Sequence, residues 1–143
     1  MDYTYAQIAK MIDHSLLNPT LTVEDLEQGC QVARAYDVAS VCIMPYYLKR
    51  CADILAGSTV KASTTVGFPH GGHTTAVKVA EARQALADGG QELDMVVNIS
   101  QVLSGCWDYV RDDVRAVIEV THAHGQQVKV ILENCYLSDD QKI

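Results

Sequence analysis

The chain has 143 residues, of which 48% are hydrophobic and 20% charged, a composition that supports one folded core and excludes a disordered or fibrous polymer. Eleven basic residues against eighteen acidic ones leave a net charge of −7, which argues against nucleic acid or an anionic membrane as the main partner. A phosphorylated small molecule stays compatible, because a phosphate site needs only a few local donors.

Residues 3–10 read as a short helix, followed by Met11-Ile12-Asp13-His14-Ser15-Leu16-Leu17, a short strand ending near Asn18-Pro19. Thr22 caps the next helix, Asp25 suits its positive end, and Leu26, Gly29, Cys30, Ala33 and Tyr36 continue it at helical spacing. Residues 38–44 form a β-rich apolar run broken at Pro45, and Leu48, Cys51, Ala52 and Leu55 mark a helix with Gly57 as its stop. A third strand is expected over 60–68, ending in Gly67-Phe68-Pro69-His70-Gly71-Gly72. Ala76, Val79, Ala80, Leu86 and Ala87 stripe a helix closed by Gly89-Gly90, and residues 92–98 form a fourth strand. Val110, Val114, Val117, Ile118 and Thr121 stripe a further helix ended by Gly125, and residues 127–133 form a fifth strand. Ser138 to Gln141 is an S-x-x-Q capping box that announces a helix start.

Strands that alternate with crossover helices imply an α/β fold with a parallel sheet covered by helices. The near-continuous hydrophobicity of the strands fits burial on both faces. A closed eight-stranded barrel needs about 250 residues, so five strand candidates predict a partial (β/α) barrel spanning 1–143 as one domain, without the last three strands. Such a sheet leaves an edge uncovered, and self-association, giving a homo-oligomer, is expected. The N-terminus has neither a basic region nor an apolar run, and no stretch is long enough to span a bilayer. The five cysteines are odd in number and lack a C-x-x-C pair, which fits a reducing cytoplasm.

In βα folds chemistry gathers at the carboxyl ends of strands, so polar residues inside the apolar runs are the candidates. Asp94 shares a strand face with Val96, and a carboxylate there is costly unless paired or working; a structural ion pair is the competing reading. Lys129 is the first residue-level candidate for imine chemistry, with Lys61 second, and a charge partner for Asp94 or Glu133 is the alternative. Asp13 and Ser15 sit two apart on one face of the first strand, where a turn or cap would serve as well. Cys42 in a strand is more often inert core than nucleophile. His70 and His73, and His122 and His124, lack companions at zinc spacing, and neither a dinucleotide fingerprint nor a P-loop is present, so no metal or cofactor is expected.

Five blocks in order, Ile12-Asp13-His14-Ser15-Leu16-Leu17, Val41-Cys42-Ile43-Met44-Pro45, Val66-Gly67-Phe68-Pro69-His70-Gly71, Glu92-Leu93-Asp94-Met95-Val96-Val97-Asn98 and Lys129-Val130-Ile131-Leu132-Glu133, resemble the deoxyribose-phosphate aldolase family. The resemblance implies a metal-free class I aldolase on a TIM barrel that cleaves 2-deoxy-D-ribose 5-phosphate, a small phosphorylated sugar, to acetaldehyde and glyceraldehyde 3-phosphate through a lysine imine. It implies that Asp94 relays protons, that Lys129 supports the charge network rather than forming the imine, and that Asp13, Ser15 and Cys42 line the pocket; the family more often has Thr at the place of Ser15. The family's imine lysine lies on strand six in a K-T-S-T-G pattern, and its phosphate-binding residues lie on strands seven and eight. None of these has a counterpart here, and Lys61-Ala62-Ser63-Thr64, on strand three, imitates the pattern in the wrong place. The chain is therefore expected to be inactive alone; a non-catalytic binding or assembly protein on a partial aldolase barrel is the alternative.

Overall fold

The computed structural model describes residues 2–143. Five strands, β1 (Asp13–Leu16), β2 (Ser40–Ile43), β3 (Lys61–Val66), β4 (Glu92–Val96) and β5 (Gln127–Ile131), alternate with helices and follow chain order in the sheet, β1-β2-β3-β4-β5. The helices are α1 (Tyr5–Ala9), α2 (Val23–Tyr36), α3 (Leu48–Leu55), α4 (Thr75–Ala87), α5 (Ile99–Leu103), α6 (Trp107–His122) and α7 (Asp139–Lys142). Each expected strand is present but shorter than its apolar run, and α5 and two short 3-10 turns, Pro45–Tyr47 and Asn134–Tyr136, fall in stretches the periodicity left unassigned.

Local chemistry sets the helix starts. Thr22 and Asp25 form a reciprocal capping box on α2, as Thr4 and Gln7 do on α1 and Ser138 and Gln141 on α7. Asp37 ends α2 in the left-handed region at φ 51°.

The chain divides into two compact units, one of Met1–Thr64 with Asp88–Glu92, the other of Thr65–Ala87 with Leu93–Ile143. In the first unit β1 pairs with β2 and β2 with β3, both parallel, with Asp13 opposite Ser40, Ser15 opposite Cys42, and Cys42 opposite Ser63. Gln91 N donates to Ala62 O at 2.8 Å and carries the chain into β4. Leu26, Cys30 and Ala33 of α2 and Leu48, Cys51 and Leu55 of α3 are buried, as are Val41 and Ile43 of β2. Leu16 packs so closely on Gly29 that a Cβ there would meet its methyl groups.

In the second unit Val97 N donates to Ile131 O at 3.0 Å, tying the end of β4 to β5. Val97, Ile99, Val102 and Leu137 form a buried cluster with Val110 packed against it. The buried ridge of α4 is Lys78, Ala82 and Ala85, not the expected stripe of Ala76, Val79, Ala80, Leu86 and Ala87. The reason is a charge: a lysine at the head of the ridge is buried because its partner, Asp113, is buried with it. A periodicity reading that counts only apolar residues misplaces such a helix by a fraction of a turn.

The strands between neighbours are buried except at Lys61 and Glu92, the first residues of β3 and β4, whereas β1 and β5, at the ends of the order, are half-open; Val130 in β5 is 37% exposed. An end strand has a hydrogen-bonding neighbour on one side only.

Gly71 has φ +65°, and a Cβ there would fall on the Val97 carbonyl, while Gly72 beside it faces open space. Gly71→Ala is expected to lower stability by about 3 kcal/mol or more from clash and backbone strain, and Gly72→Ala by no more than about 0.5 kcal/mol; urea denaturation midpoints of the two variants measure the difference.

Candidate active site

The strands carry polar residues at alternate positions: Asp13 and Ser15 on β1, Ser40 and Cys42 on β2, Lys61 and Ser63 on β3, Glu92 and Asp94 on β4, and Lys129 on β5. Side chains of period two share a face, and these residues pair from strand to strand. Ser40 Oγ donates to Asp13 Oδ1 at 2.6 Å, Lys61 Nζ lies 3.7 Å from Glu92 Oε2, and Lys129 Nζ lies 3.2 Å from Asp94 Oδ1. The intervening positions are largely apolar and include Leu16, Val41, Ile43, Ala62, Leu93 and Met95, all buried.

The sequence-predicted residues fall into two groups, each within one compact unit. In the first unit Ser15 and Cys42 are register neighbours on β1 and β2; Cys42 is buried while Ser15 and Asp13 are exposed. Ser63 continues that row on β3, and its fully buried hydroxyl finds no hydrogen-bond partner among the described residues. In the second unit Asp94 is buried, and Lys129 is its ion-pair partner with a side chain 40% exposed. The ammonium stabilises the negative charge of a carboxylate that burial would otherwise disfavour. The arrangement holds a carboxylate beside a cation, a geometry that a proton relay and a structural ion pair share. Lys61 lies in the first unit beside Glu92.

A concave groove of about 530 Å³ opens in the second unit beyond the ends of β3, β4 and β5, where His70, Asn98, Ser100, Leu103 and Tyr136 line it. Asn98 is fixed by capping α5, its side chain accepting from Gln101 N. Neither Asp94 nor Lys129 lines this groove. Among the described residues no group of three or more His, Cys, Asp or Glu is placed to hold a metal ion, and no helix is long and apolar enough to cross a membrane.

The sequence reading missed the most buried polar cluster of the second unit. Lys78 Nζ donates to Asp113 Oδ2 at 2.6 Å and to Val96 O at 3.0 Å, and Thr75 Oγ1 donates to Asp113 Oδ1 at 2.7 Å. Lys78 and Asp113 are 0% and 1% exposed. The lysine stem passes beneath Gly67, whose φ of +69° leaves no room for a Cβ against Lys78 Cε, and Gly67 N donates to Glu81 Oε2 at 2.8 Å. Two residues past Asp94, the last carbonyl of β4 is thus held by a side chain from α4 that is itself anchored on α6. The available signal was register: Lys78 stands one and two turns before Ala82 and Ala85, as Asp113 stands before Val117 and Thr121.

The fold and the paired strand residues define an α/β protein in which a buried carboxylate at the middle of one strand meets a partly exposed amine on the next. The DeoC/LacD family aldolase profile matches residues 7–142, and the chain belongs to that family. A deoxyribose-phosphate aldolase of Rhodopirellula baltica is 68% identical over 142 residues, covering 99% of this chain and 59% of the relative. One from Caldanaerobacter subterraneus is 48% identical over 137 residues, covering 95% and 59%. A crystal structure of a candidate deoxyribose-phosphate aldolase from Coccidioides immitis superposes with a TM-score of 0.90 at 34% identity, covering 97% of this chain and 54% of that one. The tetrameric deoxyribose phosphate aldolase of Aeropyrum pernix superposes with a TM-score of 0.86 at 29% identity, covering 96% and 57%. This chain thus spans a little over half the length of the proteins it matches, and its βα alternation is that of the aldolase barrel family carried through five strands.

Removing the Lys78 ammonium strands Asp113 as a buried charge, so Lys78→Met is expected to cost about 3–5 kcal/mol. The half-exposed Lys129 is screened, and Lys129→Met is expected to cost no more than about 1 kcal/mol. The two unfolding free energies, measured side by side, separate the structural pair from the candidate catalytic one.

Proposed function

We propose that this chain is the part of a 2-deoxy-D-ribose 5-phosphate aldolase that carries the proton relay, and that the lysine forming the imine lies outside these 143 residues. The observation that carries the reading is Asp94, a buried carboxylate inside β4 with the Lys129 ammonium 3.2 Å away. The names of the relatives at 68% and 48% identity support the same reaction.

In this reading a lysine amine adds to the substrate aldehyde, the carbinolamine loses water, and the protonated imine draws in the electrons released as the carbon–carbon bond breaks. Asp94 gives a proton to the carbinolamine hydroxyl as it leaves as water, takes the proton released from the substrate hydroxyl as the carbon–carbon bond breaks, and returns it to the enamine carbon. Lys129 holds the charge on Asp94 between these steps. Asp13, Ser15 and Cys42 line the substrate pocket, Asp13 held by the hydrogen bond from Ser40. Reversible cleavage gives acetaldehyde and D-glyceraldehyde 3-phosphate, in a reducing cytoplasm that suits five free thiols.

Self-association belongs to the same proposal. In the first unit Tyr3, Tyr5, Ile8, Met11 and Tyr36 are all at least half exposed, more large apolar surface than isolated side chains account for. Light scattering coupled to size exclusion is expected to give a mass above that of one chain; a monodisperse monomer at high concentration would contradict this.

The chain incubated alone with acetaldehyde and borohydride is expected to show no covalent adduct by intact mass. Mixed with a polypeptide that carries the remaining strands of the Rhodopirellula baltica relative, it is expected to restore cleavage. In that mixture Asp94→Asn should lower kcat by about 10²-fold or more, the usual size of a lost acid–base group. An adduct mapped to Lys129 or Lys61 in the isolated chain would overturn the assignment of roles.

A further inference from the structure

Helices α2 and α3 of the first unit are pinned together at three successive levels. Arg50 donates through Nε and Nη2 to Glu27 Oε1 at 2.9 and 2.8 Å, with Tyr47 Oη donating to the same oxygen at 3.3 Å. One level further on, between the contacts at Glu27–Arg50 and Arg34–Ile54, Cys30 and Cys51 are both 0% exposed and close enough for their thiols to influence each other. Beyond them Arg34 Nη1 donates to Ile54 O at 3.1 Å. The thiols are thus held between two polar clamps, each tying the same two helices, and the Glu27–Arg50 clamp is about half exposed, so solvent lies one helical turn from the sulfurs.

We propose that Cys30 and Cys51 are an oxidation site, where a small hydroperoxide drives formation of a disulfide that staples α2 to α3. The Cys30 sulfur attacks the peroxide oxygen, the O–O bond breaks, and water leaves, giving a sulfenic acid at Cys30. The Cys51 thiol then attacks that sulfur, the S–O bond breaks, and a second water leaves with the Cys51 proton. Two thiols are oxidised to one disulfide while hydrogen peroxide is reduced to two waters. The roles are unequal. The first attack is assigned to Cys30, in line with the lowering of its thiol by the neighbouring Cys51, while the same contact and burial push the Cys51 thiol up. Closing the loop between residues 30 and 51 restricts the unfolded chain more than the folded one, because the two helices are already clamped.

The remaining thiols make the test selective. Cys106 and Cys135 are exposed and are removed as Cys106→Ser and Cys135→Ser, leaving Cys30, Cys42 and Cys51. Trypsin places these three in separate peptides, residues 11–34, 35–49 and 51–61. The chain is treated with hydrogen peroxide, alkylated after denaturation, and digested without reductant. The expected product is peptide 11–34 linked to 51–61, in at least about tenfold excess over any link to 35–49, because the folded helices hold the partners in reach. The intact mass falls by two hydrogens, the midpoint of thermal unfolding rises, and both changes reverse with reductant. Peroxide applied to the urea-unfolded chain is expected to give mixed linkages. Cys30→Ala should abolish the link while Cys51 stays alkylatable, and Cys51→Ser should leave Cys30 to oxidise further to the sulfinic acid. A native sample with the same mixture as the unfolded one, a dominant link through Cys42, or three thiols untouched by peroxide would each overturn the proposal.

Discussion

A charged side chain on a strand flanked by other strands can be stabilised only by what the neighbouring strands present at the same level. That constraint runs through every strand here. Asp13 meets Ser40, Lys61 meets Glu92, and Asp94 meets Lys129. The opposite positions of the same strands are largely apolar and buried, as with Val41, Ile43, Leu93 and Met95. A one-residue slip of any strand would exchange the two sets, placing carboxylates and amines in an apolar layer and leaving their partners unmet. The pairing that stabilises the strands in register is therefore also what gives each polar strand residue its partner.

Two lysines of the second unit show how differently the same side chain can be housed. Lys78 is wholly buried, donating to Asp113 and to the Val96 carbonyl, and its ammonium has no path to a substrate. Lys129 keeps a side chain 40% exposed, and the carboxylate it meets, Asp94, stands two residues before that same carbonyl. The first fixes the end of β4, and the second leaves its partner's charge within reach of exchangeable protons. The glycines at 67 and 71 serve the same region by absence: each takes a positive φ where a Cβ would strike the Lys78 stem or the Val97 carbonyl.

Much of this was legible in the residues. The S-x-x-Q pattern at Ser138 and the Thr22–Asp25 pair are complete in the local sequence, and both form reciprocal caps. All five strands follow from apolar runs bounded by Pro or Gly, and Asp94 and Lys129 announce themselves as charges within such runs. The helix over Thr75–Ala87 was read on the wrong face because its buried ridge begins with a lysine, and no rule of apolar spacing places a lysine in a core. Ser63 was passed over for a different reason: a hydroxyl in a strand is ordinary, and only the packed neighbours reveal that its oxygen is buried without a partner.

Short-range information, then, settled where helices begin, which runs extend, and which strand positions are polar, since these depend on residues no more than a few places apart. Which polar group meets which is a different matter. Asp113 lies 35 residues from Lys78, Lys129 the same distance from Asp94, and Cys51 lies 21 from Cys30. Their burial and pairing exist only once the crossovers bring distant segments side by side, because the free energy of a buried charge or thiol is set by the atoms packed around it rather than by its neighbours along the chain.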